Sequence, residues 1–397
     1  MKVLLCHNAY QQAGGEDQSF AAEAWLLEEH GCEVVRYERS NDAIRLMSRF
    51  EIARRTLWNR DSYRELRALI RRERPSVMHC TNTFPLISPA AYYAADREGV
   101  AVVQSLRNYR LLCPNAYLMR DGRVCEDCLG RRFAWPGVQH GCYRDSRAAS
   151  AVVATMQTMH RSLGTWRRKV DLYFAPSEFA RQKHLEAGFA AEQVAVKPNF
   201  IHPDPGPGSG RGGYAIFVGR LSPEKGIETL LDAWRRLAQR GGRPLPLKIV
   251  GDGPLTPQCA AAAVEHAELE LLGRRSPSEV LQLVGEARCL VMPSLWYETF
   301  GRTIIEAFAK GTPAIAARLG AMAELIEHGR TGRLFQPGDA GDLAAQVVWL
   351  LDHPNEESAL RAACRSEYEQ RYTAQPNYLM LREIYRQALA RRARRMR

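Results

Sequence analysis

The sequence predicts an α/β protein made of two doubly wound parallel sheets. Three observations carry this. Short apolar runs alternate with helical stretches through both halves of the chain. A proline- and glycine-rich segment without apolar periodicity divides the halves. Glycine-bearing turns follow several of the runs, as strand-to-helix junctions require. With 397 residues, the chain is also long enough for two domains.

The first run, Val3–His7, precedes the Gly14-Gly15 turn, and Phe20, Ala24 and Leu27 then recur at helical spacing. His30-Gly31 ends that helix, and Cys32–Tyr37 is the next run. Val77–Cys80, Val100–Ser105 and Leu172–Pro176 continue the series. The segment from His202 to Gly210, rich in proline and glycine, reads as an interdomain linker. Beyond it the alternation restarts with Ala215–Val218, a helix around Ile227–Ala238, and Leu247–Val250. Leu269–Leu272, Cys289–Met292 and Ala314–Ala316 follow. The expected organisation is a first domain over 1–201 with a cysteine-rich insertion at 107–145, and a linker over 202–213. A second domain would span 214–375, and a basic helix, 376–397, would pack back on the first. In such sheets ligands bind beyond the carboxyl ends of the strands, here in a cleft between the domains.

Apolar residues make up 46% and charged residues 25%, which excludes wholesale disorder. No run approaches the roughly 20 apolar residues of a membrane span, and the N-terminal run is too short for a secretion signal. The expectation is a cytoplasmic protein. Of the net charge of +11, the stretch Arg382 to Arg397 supplies +6, from seven arginines against Glu383. A nucleic-acid-binding surface is therefore not demanded, and no stripe of stacking aromatics accompanies the charge. The tail reads either as a closing helix with a solvated basic face or as a contact for an anionic membrane surface. The stretch Glu51–Arg74, with eight arginines against four acids and Trp58, reads either as a contact for membrane or acceptor or as a normal solvated helix face.

Chemistry concentrates in the second half. Arg220 and Lys225 stand five residues apart in the loop after one run, just before a helix. Two fixed cations beside helix N-terminal amides suit a diphosphate. Glu298 and Glu306 flank Gly301, a probable helix start. On one continuous helix a step of eight residues turns about 800°, so the two carboxylates would diverge. With Glu298 in the preceding loop, both can line one cleft and accept hydrogen bonds from sugar or ribose hydroxyls.

These residues resemble family 4 glycosyltransferases of the GT-B fold, which use a nucleotide-sugar donor and retain anomeric configuration. The resemblance runs from Val3 to about Tyr372. It is carried by the Arg220–Gly226 loop, Pro293-Ser294, Glu298/Glu306, Gly311-Thr312-Pro313, Gly320, Glu324-Leu325, Gly329 and Thr331-Gly332. It implies two Rossmann-like domains, with Arg220 and Lys225 on the diphosphate, Glu306 on the nucleotide ribose, and Glu298 near the donor sugar. Phe300, Gly301 and Arg302 would hold sugar or phosphate through backbone amides. Gly15 would close over the donor from the first domain. The base pocket would lie near Gly251, Leu272, Gly273 and Arg274, with UDP-, GDP- and ADP-sugars all open. The acceptor would be a carbohydrate or lipid-linked molecule in surface polysaccharide assembly. The cations would stabilise the leaving diphosphate without an obligatory catalytic metal. One position departs from the pattern: many relatives carry a histidine where this chain has Arg107, so that Arg107 would meet the donor. A catalytically impaired relative, or an epimerase or phosphorylase on the same fold, is the alternative.

Four cysteines fall together: Cys113, Cys125, Cys128 and Cys142. Their spacing fits a tetrahedral structural zinc, free thiols or a redox role. Arg120-Asp121-Gly122-Arg123 between them looks like a hairpin turn. A zinc-containing nucleic-acid-binding protein is the remaining, weaker reading.

Overall fold

The computed structural model describes residues 1–11, 14–240 and 245–396. The chain divides into two compact units, one of residues 1–118, 125–199 and 377–397, the other of 119–124 and 200–376. The unit boundary thus also falls inside the cysteine-rich segment, whose residues 119–124 count with the second unit.

The first unit holds a six-stranded sheet of β1 (Lys2–Ala9), β2 (Glu33–Ser40), β3 (Val77–Asn82), β4 (Ala101–Ser105), β7 (Leu172–Ala175) and β8 (Val194–Val196). Its order is β2-β1-β3-β4-β7-β8, and every pairing is parallel. All residues of β3, β4 and β7 are buried, because helices cover both faces of a parallel sheet. That is why these strands read as largely apolar runs. The order reverses between β1 and β3, and the chain leaves both at the same end. Between β4 and β7 a two-stranded hairpin, β5 (Met119–Arg120) and β6 (Arg123–Val124), turns through Asp121 and Gly122. Both turn residues have positive φ, the geometry that matches strand twist in a two-residue hairpin.

The second unit repeats the plan with β9 (Ala215–Val218), β10 (Leu247–Val250), β11 (Leu269–Gly273), β12 (Cys289–Met292), β13 (Ala314–Ala317) and β14 (Gly332–Phe335). The order is β11-β10-β9-β12-β13-β14, again wholly parallel. Its core runs from Phe217 and Trp234 to Phe308, Phe335, Tyr368 and Tyr372. The switch in strand order lies between β9 and β12.

The helix Ala374–Met396 brings residues 377–397 into the first unit. Leu381, Ile384, Tyr385 and Ala388 are buried. Arg392 pairs with Asp96, and Arg395 Nη1 lies 2.8 Å from Asp171 Oδ1. Among the described residues no helix is long and apolar enough to cross a membrane.

The segment expected as a linker lies along the second unit. Gly208 donates its amide to Lys310 O at 2.8 Å, Gly210 to Gly285 O at 3.0 Å, and Gly212 to Glu286 O at 2.9 Å. Its glycines are there because backbone meets backbone. A Cβ on Gly208 would fall 2.1 Å from Gly285 O. Gly208→Ala should destabilise the second unit by about 1–3 kcal/mol, as overpacking does. Calorimetry should register a midpoint lowered by roughly 2–10 °C.

Candidate active site

In the second unit the loops after β9, β10, β11 and β12 gather at one end of the sheet, around the switch point. The β9 loop is held by its neighbours. Gly219 donates to Val250 O at 3.0 Å, and Leu221 to Asp252 O at 2.8 Å. A Cβ on Gly251 would lie 1.9 Å from Gly219 O, so glycine there lets the β10 loop press on the β9 loop. Gly226, with φ of +70°, begins the helix Ile227–Gln239, and its Cβ would lie 1.9 Å from Pro293 O. This second contact joins the β9 loop to the β12 loop.

The join brings Lys225 to Glu298. Lys225 Nζ lies 2.6 Å from Glu298 Oε1, and the same oxygen accepts from Ser294 Oγ and Trp296 Nε1, each at 2.9 Å. Lys225 also stands 5.3 Å from the centre of the Trp296 ring. Glu298 is buried, and three donors on one oxygen hold it in place. It lies in the loop ahead of the helix Arg302–Ala309, not on that helix. Arg220 is exposed and forms no ion pair among the described residues. The trio therefore leaves one unmatched positive charge, carried by Arg220.

Glu306, on the helix, accepts from Arg302 Nε at 3.0 Å. Burial pushes its carboxyl above the ordinary range, with Arg302 pulling against the shift. Gly301, with φ of +102°, caps the helix. The Phe300 side chain is core, packed near Tyr372, leaving only its backbone for a ligand. Gly251 donates to Gly273 O at 2.9 Å, and Arg274 Nε pairs with Asp252 Oδ2 at 2.8 Å on the surface.

In the first unit, Gly15 starts the helix Gly15–Glu29, and open space surrounds its missing Cβ. The next turn is fixed by Asp17. Its Oδ2 accepts from Gly14 N at 2.7 Å, and its Oδ1 meets His7 Nε2 at 2.9 Å. Burial would raise this carboxyl, but the His7 and amide hydrogen bonds outweigh it and bring it below the ordinary range.

Arg107 is buried in a charge cluster that sequence reasoning missed. Its Nη2 lies 2.6 Å from Glu23 Oε1, and its Nη1 meets Asn199 Oδ1. Lys197 Nζ reaches the same Glu23 oxygen at 2.8 Å and Asn377 Oδ1 at 2.8 Å. His79 Nε2 stands 3.7 Å from Glu23 Oε2, with its Nδ1 bound to Tyr385 OH at 2.8 Å. Burial would raise Glu23, but Lys197, Arg107 and His79 hold it at about 2. Burial lowers His79 to about 4. Two cations thus share one buried carboxylate. The available signal was Glu23 itself, a carboxylate within the stripe of Phe20, Ala24 and Leu27.

The expected zinc site is not assembled. Among the described residues no three of His, Cys, Asp and Glu come together to hold a metal ion, and Cys113, Cys125, Cys128 and Cys142 form no disulfide. Cys113 Sγ donates to Asn115 Oδ1 at 2.9 Å. Cys128 is buried with Ala134, Val138 and Ala154. Burial, then the neighbouring Cys113, Cys142 and Cys125, push its thiol up to about 12. Part of the segment thus packs in a small apolar cluster with Ala154.

Two family models match the chain: "Glycosyltransferase Family 4" over residues 24–205 and "Glycosyl transferases group 1" over 212–353. The chain belongs to the group 1, family 4 glycosyltransferases. It is 28% identical over 174 residues to an uncharacterized glycosyltransferase of Methanocaldococcus jannaschii, covering 43% of this chain and 47% of that one. It is 27% identical over 277 residues to an uncharacterized 42.6 kDa protein in the cps region of Klebsiella pneumoniae, covering 68% and 64%. The chain thus spans about half to two thirds of the length of these relatives. Anabaena HepE, solved with UDP and glucose, superposes with a TM-score of 0.68 at 20% identity, covering 96% of this chain and 98% of that one. This glycosyltransferase therefore has the GT-B pair of Rossmann-like sheets.

The buried cluster makes the glycosyltransferase acid-sensitive. Glu23 and His79 both bind protons more weakly when folded. Their stabilisation is complete above their ordinary values of 4.5 and 6.5 and drains as pH falls toward about 2 and about 4. Calorimetric melting should show a midpoint that drops between pH 7 and pH 4. At neutral pH, Glu23→Gln should cost about 3–5 kcal/mol, because it strands two buried cations.

Proposed function

We propose that this glycosyltransferase moves a sugar from a nucleotide-sugar donor to a carbohydrate or lipid-linked acceptor, with retention of anomeric configuration. It would act in surface polysaccharide assembly, in the cytoplasm and at the inner face of the membrane. The observation that carries the reading is the unmatched Arg220 beside the fixed Lys225–Glu298 pair at the β9/β12 switch point. An anion arriving there meets a cation that no protein carboxylate has neutralised. Lys225 adds a second, pre-oriented one.

In the proposed reaction the bond between the sugar's anomeric carbon and the leaving diphosphate breaks. A bond to the acceptor oxygen forms on the same face, and the acceptor's proton passes to the departing phosphate. Arg220 and Lys225 stabilise the charge growing on that phosphate. Glu298, whose Oε1 is saturated by three donors, keeps Oε2 for a donor-sugar hydroxyl, and Glu306 takes the ribose. Gly251, Gly273 and Arg274 border the base, with Arg274 tethered by Asp252. Likeness to HepE, solved with UDP and glucose, favours UDP-sugars as the first donors to try.

Arg220→Ala and Lys225→Ala should each lower kcat by roughly 10²–10³-fold at saturating donor. Wild-type turnover in both would rule the assignment out. Melting the protein with UDP-, GDP- and ADP-sugars should identify the donor. Saturation at about 100 times Kd adds about 2.7 kcal/mol of stability, and Lys225→Ala should abolish the shift. Phosphate-dependent release of sugar phosphate without an acceptor would turn the reading toward a phosphorylase.

A further inference from the structure

The basic C-terminal helix is a poor candidate for membrane contact, because much of its charge is already used. Arg392 pairs with Asp96, Arg395 with Asp171 and Asp96, and Arg386 with Glu383, while Arg391 donates to Glu192 O. A different surface of the first unit has the opposite character. The 3₁₀ turn Asn41–Leu46 leads through Ser48 into the helix Arg49–Leu57. Leu46 is 93% exposed and Phe50 79% exposed. Arg49 and Arg54 beside them are exposed and form no ion pair among the described residues. The presentation is fixed. Ser48 Oγ accepts from Glu51 N at 3.1 Å to cap the helix, Thr56 is buried, and Leu57 O meets His160 Nε2 at 3.0 Å.

We infer that the arch of Leu46, Arg49, Phe50 and Arg54 docks the protein on an anionic lipid bilayer. The two apolar side chains would sink among the headgroups and the two arginines would pair with lipid phosphates. Charge complementarity selects this occupant: two unpaired cations flank the apolar pair. One aromatic and one aliphatic side chain offer roughly 300–400 Å², well below the about 800 Å² per side of a stable protein interface. Bilayer docking involves neither donor nor acceptor, so its failure and that of the transfer reaction are read separately.

The test is co-sedimentation of the full chain with phosphatidylcholine vesicles containing about one third phosphatidylglycerol, at about 0.1 M salt. Wild type should pellet with these vesicles, release as salt rises, and ignore pure phosphatidylcholine. Leu46→Ser with Phe50→Ser should weaken partitioning at least about 10-fold. Arg49→Gln with Arg54→Gln should weaken it roughly 30-fold. Melting midpoints should stay unchanged in both, since the side chains are exposed. Three results overturn the inference: wild type fails to pellet, both double variants pellet like wild type, or the chain stays off vesicles and self-associates through Phe50 in light scattering.

Discussion

Everything at the candidate site depends on a backbone contact too close for a side chain. Gly226 meets the carbonyl of Pro293, and Gly251 meets that of Gly219. Two loops from opposite sides of a strand-order switch are thereby pressed together. Only with that approach can Lys225 reach Glu298 while Ser294 and Trp296 complete the same oxygen's shell. The electrostatics follow from the sterics. Lys225 is neutralised by its contact, Arg220 is left unmatched, and a region of fixed positive potential appears where parallel sheets open to ligands.

The strands were legible because both sheet faces are covered. A strand buried on both sides has no polar face to write into the sequence, so Cys289–Met292 reads as a bare apolar run and Val77–Cys80 as one broken only by His79. The edge strands β8 and β14 escaped notice, being only three and four residues long. The course of the linker was not legible for a different reason. Composition reports what a segment cannot form, whereas Gly208 and Gly210 mark backbone contacts that only the fold reveals.

The site divides along the same line. Arg220, Lys225, Glu298 and Glu306 stood out through residue type and order, and the fold pairs Lys225 with Glu298. The Arg107 cluster did not stand out, because it converges from a helix, three strand ends and the C-terminal helix. Pairings of such range leave no local spacing. The cysteines show the converse: their spacing suggested a shared ligand, yet among the described residues no metal-holding group comes together, and Cys128 packs with Val138 and Ala154 instead. Spacing along a chain constrains geometry only where an element of known shape lies between the residues.

The first unit is also discontinuous. Lys197 and Asn377, 180 residues apart, are bonded to each other, and Asn377 Nδ2 donates to Pro198 O as well. The second unit is thus an insertion whose entrance and exit strands are pinned side by side. On the ribosome this inverts the usual order of maturation. Residues 200–376 have all their partners at hand as soon as they emerge. The N-terminal sheet must wait for the closing helix, roughly 10–40 s after β8 is made at ordinary elongation rates. During that interval the Glu23–Arg107–Lys197 charges lack the cover of Tyr385 and Asn377, so the part of the protein synthesised first is the part most in need of a chaperone.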